Sequence, residues 1–191
     1  MPFHPQVGDQ LNIDGVIYRI AEHPAAPGIP YGQEGRQAIV YQLVASSPDA
    51  GEGQGGGLRA LKVFRPRYRV PALVTLADRI AAFAELPGLL VCRRTVLSAR
   101  RHKDLLRQYP DLLYAVLMPW VEGPTWVQVL LEKRELSPEQ SLALARALAE
   151  ILAGMEEHGL AHCDLSGPNV MLPYLTPSPN PLPLSGPEES A

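Results

Sequence analysis

The sequence predicts an α+β protein, with a β-rich N-terminal lobe followed by the first part of a helical lobe. Three observations predict it. The first third alternates apolar and polar residues in short runs broken by Asp-Gly and glycine-rich turns. One long amphipathic segment, with signals at both ends, fills residues 137–159. The 191 residues are 46% apolar, enough for one ordinary domain or two small lobes that share a cleft.

Composition excludes several classes. A net charge of -3 leaves no nucleic-acid footprint, and the basic groups Arg65, Arg67, Arg69 and Arg93 to Lys103 read as solvated faces. Cys92 and Cys163 make no disulfide framework and fit a reducing compartment. No apolar run reaches the roughly 20 residues that cross a bilayer, so no membrane segment is expected. The opening "MPFHPQVGDQ" lacks the basic and apolar regions of a secretory signal, so a cytoplasmic location is expected.

Taken in order, "QLNIDGVIYRI" predicts a hairpin turning at Asp14-Gly15, because Gly tolerates positive φ. Ala38 to Ala45 and Leu58 to Phe64 are two further strands. The segment "SSPDAGEGQGGG" between them has almost nothing to bury and predicts a flexible loop. Leu73, Leu76, Ile80, Phe83 and Ala84 recur at helical spacing before Pro87-Gly88 ends the run. Leu89 to Leu97 and Tyr114 to Val121 read as strands, separated by "SARRHKDLLRQYPD", which suits a short helix. Ser137 then offers an N-cap, Pro138 a first helical position and Gln140 the partner of a capping box. Leu142, Ala145, Leu148, Leu152 and Met155 form the stripe expected to be buried, and Gly159 stops the helix. Six prolines between Pro173 and Ala191 argue against regular structure there.

Two places carry chemistry. Lys62 lies inside the apolar strand "RALKVF", where a cation is costly unless it faces an anion or snorkels from a sheet edge. In "LAHCDLSGPNVML", Asp164 and Asn169 share one short loop after the long helix, with Gly167-Pro168 turning the chain between them. A carboxylate accepts a hydroxyl proton, and an amide carbonyl is a hard oxygen ligand suited to magnesium. A polar surface loop built on Asx-turns is the plain alternative.

With these residues in view, the chain resembles the protein-kinase fold. "HCDLSGPN" resembles the catalytic loop H-R-D-L-x-x-x-N, "RALK" the V-A-I-K strand and "LMPWVEG" the hinge, in the family's order and at its distances. The likeness runs from Tyr18 to Leu172. It implies a bacterial-type Ser/Thr protein kinase architecture, with an N-lobe and hinge over residues 1–121, the start of the C-lobe over 122–172 and a proline-rich tail over 173–191. It implies ATP and Mg2+ as cofactors and an unknown protein substrate as partner. Lys62 would hold the α- and β-phosphates, Asp164 would be the catalytic base and Asn169 a magnesium ligand. Val40 and Ala60 would line the adenine site, Met118 would be the gatekeeper, and the Pro119 carbonyl and Val121 N–H would meet the adenine edge. Lys62 and Asp164 are expected to face each other across a nucleotide-sized gap.

The departures are as specific. Of the three loop glycines only Gly35 matches; Gln33 and Ala38 take the other places, and the insertion "EHPAAPGIPYGQEG" suggests a loose phosphate lid. Ala77 stands where the family's helix glutamate would pair with Lys62, leaving Asp78 as the candidate. Cys163 replaces the arginine that usually receives an activation-loop phosphate, and is expected to pack. Ser166 replaces a lysine common in Ser/Thr kinases, and the loop also resembles that of small-molecule kinases acting on aminoglycosides or choline. No aspartate follows Asp164, so the family's Asp-Phe-Gly metal contact is missing from these residues. The expectation is the N-terminal portion of a longer kinase, inactive alone; the alternatives are a small-molecule kinase and a pseudokinase binding module.

Overall fold

A computed structural model of the chain describes residues 3–46, 57–173 and 175. Backbone contacts divide it into two compact units, Met1–Trp120 and Val121–Ala191. The loop over residues 47–56, most of the expected glycine-rich connection, lies outside the described residues, as does nearly all of the proline-rich tail.

In the first unit, strands β1 (Gln10–Ile13) and β2 (Val16–Ile20) form the expected hairpin. Its two turn residues both take positive φ, 54° at Asp14 and 84° at Gly15. Aspartate and glycine adopt that conformation at least cost, which fixes Ile13 opposite Val16. The insertion contributes three short strands. Strands β3 (Glu22–His23) and β4 (Ala26–Pro30) make a small separate hairpin, and β5 (Gly32–Glu34) returns to the main sheet. There β2 and β5 lie end to end along β6 (Ala38–Ala45), with Ile20 opposite Leu43 and Gly32 opposite Tyr41. Gln42 bridges the break: its carbonyl accepts from Ala21 N–H and its own N–H donates to Tyr31 O. The insertion therefore leaves the ladder and rejoins it almost in register.

Strand β7 (Leu58–Phe64) runs between β6 and β9 (Val116–Pro119), and β8 (Thr95–Val96) closes the edge beyond β9. Most of Leu89–Leu97, expected as strand, is a 3-10 turn at Leu90–Cys92 with strand only at its end. A run of apolar residues carries no period that separates the two, and Pro87-Gly88 leaves little length for pairing. Alternation along the strands separates two faces. Tyr41, Leu43, Leu61, Val63 and Leu117 join Leu11, Ile13, Tyr18, Ile20, Leu97 and Leu112 in the larger core. The other face carries Ala38, Phe64, Val96 and Val116, which pack with Ala77 of helix α1 (Ala72–Ala81). Helix α2 (Lys103–Gln108) lies in the charged segment, as expected. The buried His102 anchors the turn before it. Its Nδ1 accepts from Ser98 N–H at 3.1 Å, and its Nε2 lies 3.2 Å from Asp14 Oδ1, which Arg101 also contacts at 2.8 Å.

The second unit begins with helix α3 (Trp126–Leu131) and continues with α4 (Pro138–Glu157). Each opens with a complete capping box, Thr125 with Gln128 and Ser137 with Gln140, so two otherwise orphaned donors are satisfied at each start. The expected buried stripe of α4 is corrected: only Met155 is buried, Leu148 and Leu152 are half-buried, and Leu142 and Ala145 are exposed. Helical spacing identifies the apolar side of a helix. It does not supply a neighbour to cover it.

Candidate functional site

In the first unit the sheet register gathers the predicted nucleotide residues. Val40 pairs with Lys62 and Lys62 with Val116; one step along, Gln42 pairs with Ala60 and Ala60 with Met118. Residues opposite one another on adjacent strands point to the same side. Val40, Ala60, Lys62 and Met118 therefore share one face, the same face whose far end α1 covers. Lys62 is on a central strand, not an edge, so the edge-snorkelling explanation falls. Its Nζ lies 5.2 Å from the centroid of the Phe64 ring, the geometry of a cation–π contact.

The helix position expected to supply the partner of Lys62 is apolar in fact. Ala77 is buried against Phe64, Val96 and Val116. Asp78 is exposed and lines a concavity with Arg94, Arg100 and Arg101. Gly35 falls at the tip of the β5–β6 hairpin, where its N–H donates to Ala38 O at 2.8 Å. Arg65 braces that hairpin from outside, with Nη2 2.5 Å from Glu34 Oε1. The ladder beside the hinge ends at Trp120, whose N–H reaches Leu58 O at 3.5 Å. One aromatic group escaped the sequence reading: Tyr31 packs between His23 and Trp120, with ring centroids 5.0 Å and 5.3 Å away. Burial pushes the Tyr31 phenol above its ordinary pKa. No spacing rule links these three residues, because they meet only once β5 rejoins the sheet.

In the second unit the loop from Leu160 to Leu172 is tied to the start of α3. Trp126 N–H donates to Val170 O, Leu172 N–H donates to Pro124 O, and Thr125 bridges Met171. Two glycines permit the approach. Gly167 lies against Val127, and Gly123 takes a φ of 122° where an added Cβ would be 2.5 Å from Leu172 O. Inside the loop, Asn169 Nδ2 lies 2.9 Å from Asp164 O, 3.1 Å from Asp164 Oδ2 and 3.2 Å from Ser166 Oγ. With two hydrogens it serves two of these acceptors well at once. The two residues singled out from the sequence are thus joined directly, and an amide donating through Nδ2 keeps its Oδ1 as an acceptor. Cys163 is exposed with φ 60°, contrary to the packing expected of it. Asp164, next to this left-handed corner, is exposed as well.

The donor set here is one carboxylate and one amide oxygen, both hard ligands of the kind magnesium takes. Among the described residues no three of His, Cys, Asp and Glu gather as a complete metal cage. Magnesium is commonly held by one or two protein oxygens together with phosphate and water, so the pair fits that mode.

No family model matches the chain. Over 106 residues it is 29% identical to the serine/threonine-protein kinase PkaA of Streptomyces coelicolor, covering 53% of this chain and 19% of that protein. Over 145 residues it is 28% identical to the EKC/KEOPS complex subunit Tp53rkb of Mus musculus, covering 76% of this chain and 56% of that protein. The chain thus spans about a fifth of one relative and just over half of the other. It is a mixed α+β protein with weak, partial similarity to a Ser/Thr kinase and to a KEOPS subunit.

Proposed function

We propose that the chain is the ATP-binding part of a kinase-type phosphotransferase that passes the γ-phosphate of ATP to a protein hydroxyl. One observation carries the reading: a lysine on a central strand shares a sheet face with Val40, Ala60 and Met118, the residues that the kinase resemblance assigns to the adenine. Lys62 binds the α- and β-phosphates as a point charge, and the small side chain of Ala60 leaves room for the purine. Asp164 orients the attacking hydroxyl and takes up its proton. Asn169 holds Asp164 in place through Nδ2 and offers its Oδ1 to magnesium. Magnesium, when bound, neutralises charge on the phosphates. The 191 residues hold no aspartate after Asp164, so turnover by this chain alone is expected to be negligible and binding is the property to measure.

The test is calorimetric titration of the whole chain with Mg-ATP and a non-hydrolysable analogue. Saturable binding that Lys62→Met weakens by roughly ten- to a hundredfold supports the reading, as expected for one charge-assisted contact. Binding indifferent to Lys62, or absent at millimolar nucleotide, sinks it. Peptide acceptors tested against amino-alcohols, on a version restored to activity, then separate a protein kinase from a small-molecule kinase.

A second reading has its own support. The similarity to a subunit of the EKC/KEOPS complex covers more of this chain than the similarity to PkaA. On that reading the chain is a nucleotide-holding subunit of an assembly, without turnover of its own. Thermal stabilisation by nucleotide, with no phosphate transfer in any restored version, distinguishes it.

A further inference from the structure

Of the basic residues from Arg93 to Lys103, Arg93, Arg100, Arg101 and Lys103 are exposed, as expected of a solvated face, whereas Arg94 is half-buried and His102 buried. Arg94, Arg100 and Arg101 line a concavity of about 410 Å³ on the flank of α1 and β8, together with the hydroxyl-bearing Thr95 and Ser98. Asp78 is the single acidic residue on its wall. Arg94 is half-buried, and its Nε donates to Val91 O at 2.9 Å. That bond occupies one of five N–H groups, and no ion pair among the described residues gives Arg94 a carboxylate. Removing a guanidinium from water without a counter-charge is unfavourable, which is why such groups usually face an anion. The burial of Arg94 depresses its pKa from the usual arginine value, in line with that cost.

The other side of the concavity is held in shape before any ligand arrives. Arg101 N–H and His102 N–H both donate to Ser98 O, and Ser98 N–H donates to the buried His102 ring. Arg100 and Arg101 therefore project from a turn closed at both ends. Arginine forks match tetrahedral oxyanions in geometry as well as in sign. Three guanidinium groups stand against Asp78 on the wall and Asp14, which pairs with Arg101 Nε at 2.8 Å, leaving a local charge of about +1 that attracts a phosphate monoester, which carries about -2 near neutral pH.

We propose that this concavity binds a phosphoryl group, held by Arg94, Arg100 and Arg101. It is independent of the Lys62 face and of any phosphotransfer by this chain. The group can arrive on a phosphorylated side chain or as free phosphate, and the test distinguishes the two. The whole chain is titrated with inorganic phosphate, with a short phosphoserine peptide and with the same peptide unphosphorylated.

Saturable binding of phosphate or phosphopeptide, weakened about tenfold or more by Arg100→Ala and by Arg94→Ala, is the expected result. Asp78→Asn removes the repelling carboxylate and is expected to tighten binding several-fold, a gain that damage to the fold cannot produce. Lys62→Met is expected to leave it unchanged, which separates this site from the nucleotide face. Tighter binding of the phosphopeptide than of phosphate identifies a side-chain source; equal binding identifies the free anion. The proposal is overturned by absent phosphate and phosphopeptide binding, by equal binding of the unphosphorylated peptide, or by indifference to Arg100→Ala in a variant with unchanged circular dichroism.

Discussion

Asp111 ties the N-terminus to the sheet, and removing it tests how the first unit is held together. Its Oδ1 accepts from Arg69 Nη1 at 2.6 Å and its Oδ2 from Phe3 N–H at 2.9 Å. Arg69 in turn donates through Nε to Phe64 O at 2.8 Å. Phe3 packs edge-on against Tyr41 and Tyr109, with centroids 5.8 Å and 5.4 Å away. A hydrogen bond to a charged partner contributes about 1.5–3 kcal/mol. The Asp111 and Arg69 side chains are 24% and 19% exposed, so solvent weakens the pair only in part, and Asp111→Ala is expected to cost about 2 kcal/mol. For a chain this long that lowers Tm by about 4–8 °C. The control is Asp104→Ala, whose ion pair with Arg107 is 90% and 70% exposed and contributes less than about 0.5 kcal/mol.

The loss also depends on pH, with a definite sign. The hydrogen bond from Arg69, above all, holds the Asp111 carboxyl below its usual pKa. A depressed folded-state pKa gives stability that is fully present above the unfolded value, about pH 3.9, and is lost as pH falls through the folded value. The gap between wild type and Asp111→Ala is therefore expected to stay constant near neutrality and to close below about pH 4. Urea titrations followed by circular dichroism at pH 7, 4 and 3 measure it. Equal losses for the Asp111 and Asp104 variants at pH 7, or a gap that widens in acid, refute the reasoning.

Three further predictions follow from the second unit. Gly123→Ala meets both an unfavourable φ and the Leu172 carbonyl, so a loss of about 2 kcal/mol or more, with protease cleavage appearing near Leu172, is expected on limited proteolysis. Ser137→Ala removes the N-cap of α4 and should lower helix content and cost about 1 kcal/mol in urea unfolding. Asn169→Ala releases Asp164 from its side-chain donor while leaving the backbone tie of the loop to α3 intact; it should weaken magnesium-dependent nucleotide binding without shifting Tm by more than about 2 °C.

Where the sequence was legible, the signal was local. Asp14-Gly15 specifies its turn through φ alone, and Ser137 with Gln140 specifies a helix start through two bonds within one turn. Strands β6 and β7 were readable to the residue because each is a short apolar run bounded by turn-forming or charged residues. Lys62, Asp164 and Asn169 stood out because polar groups in those settings need a partner. Cys163 was misjudged for want of its φ, and Leu142 for want of a neighbour.

By itself, then, the chain determined its local geometry: turns, caps, alternation and the loop chemistry around Asp164, all set by interactions a few residues apart. Only the tertiary structure decided which face of the sheet Lys62 shares, that Asp78 is exposed beside the arginines while Ala77 packs under Val116, and that Arg94 meets Arg100 and Arg101 around one hollow. Those outcomes depend on strand register and on the packing of α1 against β8. Both are fixed by contacts between distant parts of the chain, which no local period encodes.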